Sequence, residues 1–131
     1  MSVYRDVIEA VLRMVNDIGL YAPATIGPLP PDNGISIAWG SGAVATTFQD
    51  KRACISASLV VNAKHRDPTM ALDALSNIHV ALTMTRDYPV TDNYQITNIE
   101  TSSPPTYLGR EENSQWLYGS SITVKFFLKG D

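Results

Sequence analysis

Few side chains in this sequence are equipped for covalent chemistry, and none stands in an arrangement that such chemistry requires. The single cysteine is Cys54. A thiol attacks as its thiolate and needs a base or cation beside it. Cys54 instead lies in an alternating run with Ser56 and Ser58, the setting of a half-buried strand thiol, and a lone cysteine makes no internal disulfide. The two histidines, His65 and His79, are isolated, without the short cysteine, histidine or carboxylate spacings of a metal site. His79 falls on the apolar stripe of a helical pattern, where a packed, hydrogen-bonded imidazole is expected. Glu111 and Glu112 are adjacent in a turn-like stretch and read as a solvated loop. Gly40-Ser41-Gly42 lacks the Lys-Ser/Thr and following helix of a phosphate loop. No GxSxG, HExxH, CxxC, Walker or dinucleotide motif occurs. The expectation is a protein without catalytic, metal-ligating or cofactor-binding residues, and not an enzyme.

The totals agree with a single ordinary domain: 131 residues, 44% hydrophobic and 18% charged. A net charge of −3 argues against bulk nucleic-acid binding, which needs clustered Lys and Arg to displace counterions from phosphates. Lys64, His65 and Arg66 form the one tight basic group and read as a solvated strand end. The opening stretch, MSVYRDVIEAVLRM, mixes acids and bases and has no apolar core run. Neither a signal peptide nor a membrane span is expected there.

The elements that would position these residues follow from hydrophobic period. Val7, Ile8, Val11, Leu12, Val15 and Ile18 share one stripe, which predicts a helix over Val3–Ile18 closed by Gly19, with Leu20 folding back on the cap. Tyr21–Gly34, rich in Pro and Gly, reads as an extended connection. Ile35, Ile37 and Trp39 alternate as a strand, and Val44, Thr46 and Phe48 read as its hairpin return across Gly40-Ser41-Gly42. After a turn at Gln49-Asp50-Lys51, a long strand runs over Arg52–Ala63 with Ala53, Ile55, Ala57, Leu59 and Val61 on one face.

Asp67-Pro68 is a helix start, since Asp caps free amides and Pro suits the first helical position. Leu72, Leu75, Ile78, His79 and Leu82 supply its apolar stripe. Tyr94–Thr101 reads as a strand with a bulge between Ile96 and Ile99, and Ser102–Pro105 as a break. After the charged loop Arg110-Glu111-Glu112-Asn113, alternation from Trp116 to Leu128 marks the clearest strand in the chain. The fold class is therefore α+β, a mostly antiparallel, partly long-stranded sheet with two helices packed on one face.

The order of these parts resembles the phage tail terminator proteins, a group also labelled minor capsid, tail-completion or head–tail joining proteins. The resemblance runs through the opening helix VIEAVLRMVNDIGL, the passage PLPPDNGISIAWG and the junction SLVVNAKHRDPTMALDALSNIHVAL. It continues in the late strands with their Leu-Gly-acidic loop. Here Leu108-Gly109 is followed by Arg110 where an acidic residue is commoner, and then by Glu111 and Glu112. The resemblance implies a structural virion protein of the tail or neck, assembled in the host cytoplasm. Such a protein forms a ring, usually a hexamer, on the head-proximal end of the tail tube. It stops tube polymerisation and meets the head connector, while DNA passes through the lumen without specific binding. Partners would be other copies, the tube protein and the connector, with no membrane.

The polar loops Lys64, His65, Arg66, Arg110, Glu111, Glu112 and Asn113 are the candidates for partner contact, because loops projecting from a sheet can order on binding. Two other readings compete. One is another neck component, a stopper or tail-completion protein. The other is a small α+β ligand-binding domain or enzyme, with Trp39, Trp116, Tyr94 and Tyr118 lining a cleft between helix and sheet.

Overall fold

The computed structural model describes residues 3–40, 45–49 and 52–128, with 45–49, 52 and 53 described as backbone only. Among the described residues, two helices and six strands occur in the order α1 (Val3–Asn16), β1 (Ala24–Ile26), β2 (Gly34–Trp39), β3 (Ala45–Gln49), β4 (Arg52–His65), α2 (Pro68–Thr83), β5 (Tyr94–Arg110) and β6 (Trp116–Leu128). The strands form one sheet, ordered β1-β2-β4-β6-β5, with β3 paired to β4. Only β1–β2 is parallel, and every other pairing is antiparallel. This is the α+β class read from the sequence.

Both helices lie on one face of the sheet. That face is built from the alternating residues Ile55, Ala57, Leu59, Val61 and Ala63 of β4 and Ile122, Val124 and Phe126 of β6, all buried. The register sets Ile55 opposite Phe126, Ala57 opposite Val124 and Leu59 opposite Ile122, so the largest side chains of two long strands form one apolar floor. From α2, Ala71, Ala74, Leu75, Ile78 and Leu82 pack onto it, and from α1, Val7, Ile8, Val11 and Val15 extend the same core along the β1–β2 side of the sheet. The opposite face of β4 and β6 carries Ser56, Ser58, Asn62, Ser121 and Thr123, and no helix among the described residues covers it.

Local starts and stops follow the sequence in part. Asp67 caps α2 as expected: its Oδ1 accepts the Thr69 amide at 2.9 Å, with Pro68 at the first position. Gly19 takes the left-handed conformation, φ +82°. The helix itself stops at Asn16, short of the expected Ile18. Asn16 turns outward, and its Oδ1 accepts the Ala24 amide at 2.7 Å.

Five expectations are corrected. First, Tyr21–Gly34 is not purely a connection, because β1 lies within it and pairs in parallel with β2. Second, β2 and β3 are not hairpin partners. Both run antiparallel to β4, along different stretches of it, so the chain passes from β2 to β3 without reversing. The expected turns at Ser41-Gly42 and Asp50-Lys51, and the side-chain directions of Val44, Thr46, Phe48 and Ala53, lie outside the described residues.

Third, Ser102–Pro105 does not break β5, which continues to Arg110 through register shifts at Thr101/Ser103, Ser103/Thr106 and Tyr107/Gly109. Proline is tolerated there because β5 is an edge strand and its outer amides need no ladder partner. A shift between Ile96 and Asn98 matches the expected bulge. Fourth, Leu72 is exposed while Ala71 and Ala74 are buried, so the α2 stripe is rotated toward its alanines. Fifth, Lys64 is not a solvated strand end: it is 5% exposed.

Candidate functional site

The two polar segments singled out in the sequence meet at one end of the sheet. β4 ends at His65 opposite Trp116, the first residue of β6, and the β5–β6 turn folds beside both. Lys64 Nζ reaches Glu111 Oε1 at 2.9 Å, joining the end of β4 to that turn. Asn113 Nδ2 donates to Pro31 O at 3.0 Å and Asp32 Oδ1 at 3.2 Å. The Asn33 amide donates to Gln115 Oε1 at 2.8 Å, and the Arg66 amide to Asn33 Oδ1 at 3.1 Å. The loop before β2, the end of β4 and the β5–β6 turn are thus laced together, and these segments are pre-ordered instead of projecting freely.

Tyr21 completes the lacing, with its hydroxyl 2.8 Å from Lys64 O and 3.0 Å from Gly34 O. Burial pushes its pKa up to about 12, the Lys64 carbonyl contact opposing the shift. His65 stacks edge-on against Tyr21 at 4.6 Å between ring centres, and its Nδ1 accepts the Asp67 amide at 2.9 Å. Glu112 and the Arg66 side chain remain exposed.

Beside this polar end lies an aromatic cluster that alternation alone did not assemble. Tyr107 of β5 lies 5.9 Å from Trp116 and 5.7 Å from Tyr118 of β6, and the Arg110 guanidinium sits 5.4 Å over the Trp116 ring. Arg110 Nη2 also donates to Ser114 Oγ at 3.2 Å. Tyr107 is half exposed. The cluster exists because β5 continues past its prolines and brings Tyr107 opposite Tyr118. Reading a break at Ser102–Pro105 hid it; the alternation of Trp116 and Tyr118 on the helix-side face was the available signal.

The four aromatics proposed to line a helix–sheet cleft do not converge. Trp39 packs against Tyr4 at 5.7 Å and Phe126 at 6.4 Å, and its Nε1 donates to Tyr4 O at 3.1 Å. Tyr94 is buried at the other end of β6 from Trp116, opposite Leu128. A surface hollow of about 350 Å³ does exist, but it opens on the helix-free face, lined by Val60, Asn62, Thr106, Leu108, Gly119 and Ser121.

His79 is buried in the α2–β5 seam, as expected for a packed histidine. Its Nδ1 lies 2.8 Å from Thr101 Oγ1, its Nε2 has no partner among the described residues, and burial lowers its pKa. Cys54 is half-buried in β4 opposite Phe127. Among the described residues no group of three or more His, Cys, Asp or Glu side chains is placed to hold a metal ion.

No family model matches this sequence, and no curated protein sequence does. The fold is similar to that of a chain in the virion of a native gene transfer agent particle, with a TM-score of 0.59 over 93% of each chain. Sequence identity between the two is 14%, so the likeness is one of fold.

Proposed function

We propose that this chain is a non-enzymatic structural protein of a phage-like virion, and within it a tail terminator. It closes into a ring on the head-proximal end of the tail tube, stops tube growth and presents its other face to the head connector. The observation that carries this reading is a fold shared end to end with a virion protein chain, 93% of each being covered. The pre-ordered polar end and the adjacent aromatic edge add to it: interfaces concentrate Trp, Tyr and Arg, and a laced loop loses little entropy on docking. The ring is most simply a hexamer with heterologous, closing contacts. DNA passes through its lumen without specific binding, in keeping with a net charge of −3. The protein is made in the host cytoplasm and ends in the neck of the virion.

The test is negative-stain imaging of the purified protein, alone and with tail tubes from a phage that lacks it. Rings, or caps at one tube end with tube length becoming fixed, are expected. A dispersed protein that leaves tube ends and tube growth unchanged refutes the proposal.

A further inference from the structure

We infer that two opposite edges of this fold are the mating surfaces between neighbouring copies: the Tyr107–Arg110 edge of one copy seats against the α1–β1 edge of the next, with Arg110 meeting Asp17. The inference deepens the ring reading and rests on it.

The register places these edges at the same level. Ala24 of β1 stands opposite Ile35, Ile35 opposite Ala63, Ala63 opposite Tyr118, and Tyr118 opposite Tyr107. One rung therefore crosses the whole sheet, roughly 19 Å at the usual strand spacing, from the β1 edge to the β5 edge. Asp17 belongs to the first edge, because its neighbour Asn16 is hydrogen-bonded to Ala24. Arg110 belongs to the second. Both lie on the helix side of the sheet: Asp17 follows the end of α1, and Arg110 stands opposite Trp116, which shares the face of Tyr118.

Each edge lacks what the other offers. Asp17 is exposed just past the last turn of α1. A carboxylate there lies at the negative end of the helix dipole, the position that favours a cation. No cation of its own chain pairs with it among the described residues. Arg110 is exposed, lies over the Trp116 ring and is tied to the Ser114 hydroxyl, with no carboxylate partner among the described residues. A guanidinium held by a ring contact and a hydroxyl keeps further N–H donors to offer a carboxylate. Apolar surface flanks both groups, Tyr107 at 50% and Ile26 at 44% exposure.

The contact is made by side chains and not by strand addition. Pro104-Pro105 and three register shifts disrupt the distal half of β5, which blocks edge-to-edge pairing. Unlike edges on opposite sides of one chain give a head-to-tail contact, the kind that closes a ring.

The experiment is a charge swap in the full chain: Arg110→Glu, Asp17→Arg, and both together. Ring formation is followed by native mass spectrometry and imaging, alone and at tube ends, with thermal melts to confirm folding. Each single swap is expected to raise the concentration needed for rings by roughly tenfold or more, through like-charge repulsion, and the double swap to restore assembly. If wild-type rings form and either single swap leaves them unchanged, or the double swap fails to rescue, the edge pairing is wrong and the ring reading stands. Swaps that spare rings but abolish tube capping would assign the edge to the tube and overturn this inference. A wild-type chain that makes no ring in either setting would sink the ring reading and this pairing with it.

Discussion

Glu111 was read from the sequence as a loop residue available to partners, yet its geometry makes it a structural group, and removing it discriminates the two roles. Lys64 is 5% exposed, and Glu111 Oε1, 2.9 Å away, is the carboxylate that balances its ammonium. Truncating one partner of a fully buried pair costs about 3–5 kcal/mol, because a charge is left in a poor solvent. The Glu111 side chain is 43% exposed, so water reaches the pair from one side and the loss is smaller. We expect about 2 kcal/mol for Glu111→Ala, between the buried and exposed limits. For a chain of this size that lowers Tm by roughly 6–10 °C. Thermal unfolding followed by circular dichroism measures it, with Glu112→Ala as a control expected within about 0.5 kcal/mol of wild type. Adding Lys64→Met to Glu111→Ala should recover most of the loss, since an apolar side chain no longer needs a counter-charge. A Glu111→Ala protein that melts within about 1 °C of wild type, where an exposed ion pair would leave it, would refute the reasoning.

Three further outcomes are expected. Asp67→Ala removes the cap on the Thr69 amide and should cost about 1 kcal/mol in urea unfolding, with Asp67→Asn losing much less. Phe126→Ala empties a fully buried site at the crossing of α1 and the sheet and should cost about 3–5 kcal/mol, more than any surface change. His79 has its pKa lowered by burial, so on acidification the unfolded chain takes up a proton that the folded chain refuses. Stability is unaffected by this group above the ordinary histidine pKa and falls as pH drops below it toward the lowered folded value; the loss of Tm between pH 7.5 and 5 should be smaller in His79→Asn than in wild type.

What was legible in the sequence was what repeats locally. α1, the Asp67-Pro68 start of α2, most of β4 and all of β6 follow from period and capping, because each is long enough for its pattern to be read without a partner. β1 is three residues between Pro23 and Pro28, too short to have a period, and it exists only because β2 offers an edge beside it. The distal half of β5 holds two prolines and reads as a break until its place at the sheet edge is known.

The same limit decides how the candidate site was read. Lys64 was read as part of a solvated strand end, but β4 runs on to His65, and Lys64 takes the face opposite Ala63 and Val61, which are in the core. That face does not leave it exposed, because the β5–β6 turn returns from far along the chain to meet the ammonium. Arg110 is the converse case: it stays exposed, with the Trp116 ring beneath it and the Ser114 hydroxyl beside it. Charge alone ranked the two cations together. The sheet separates them, burying Lys64 against Glu111 and leaving Arg110 exposed at the β5 edge.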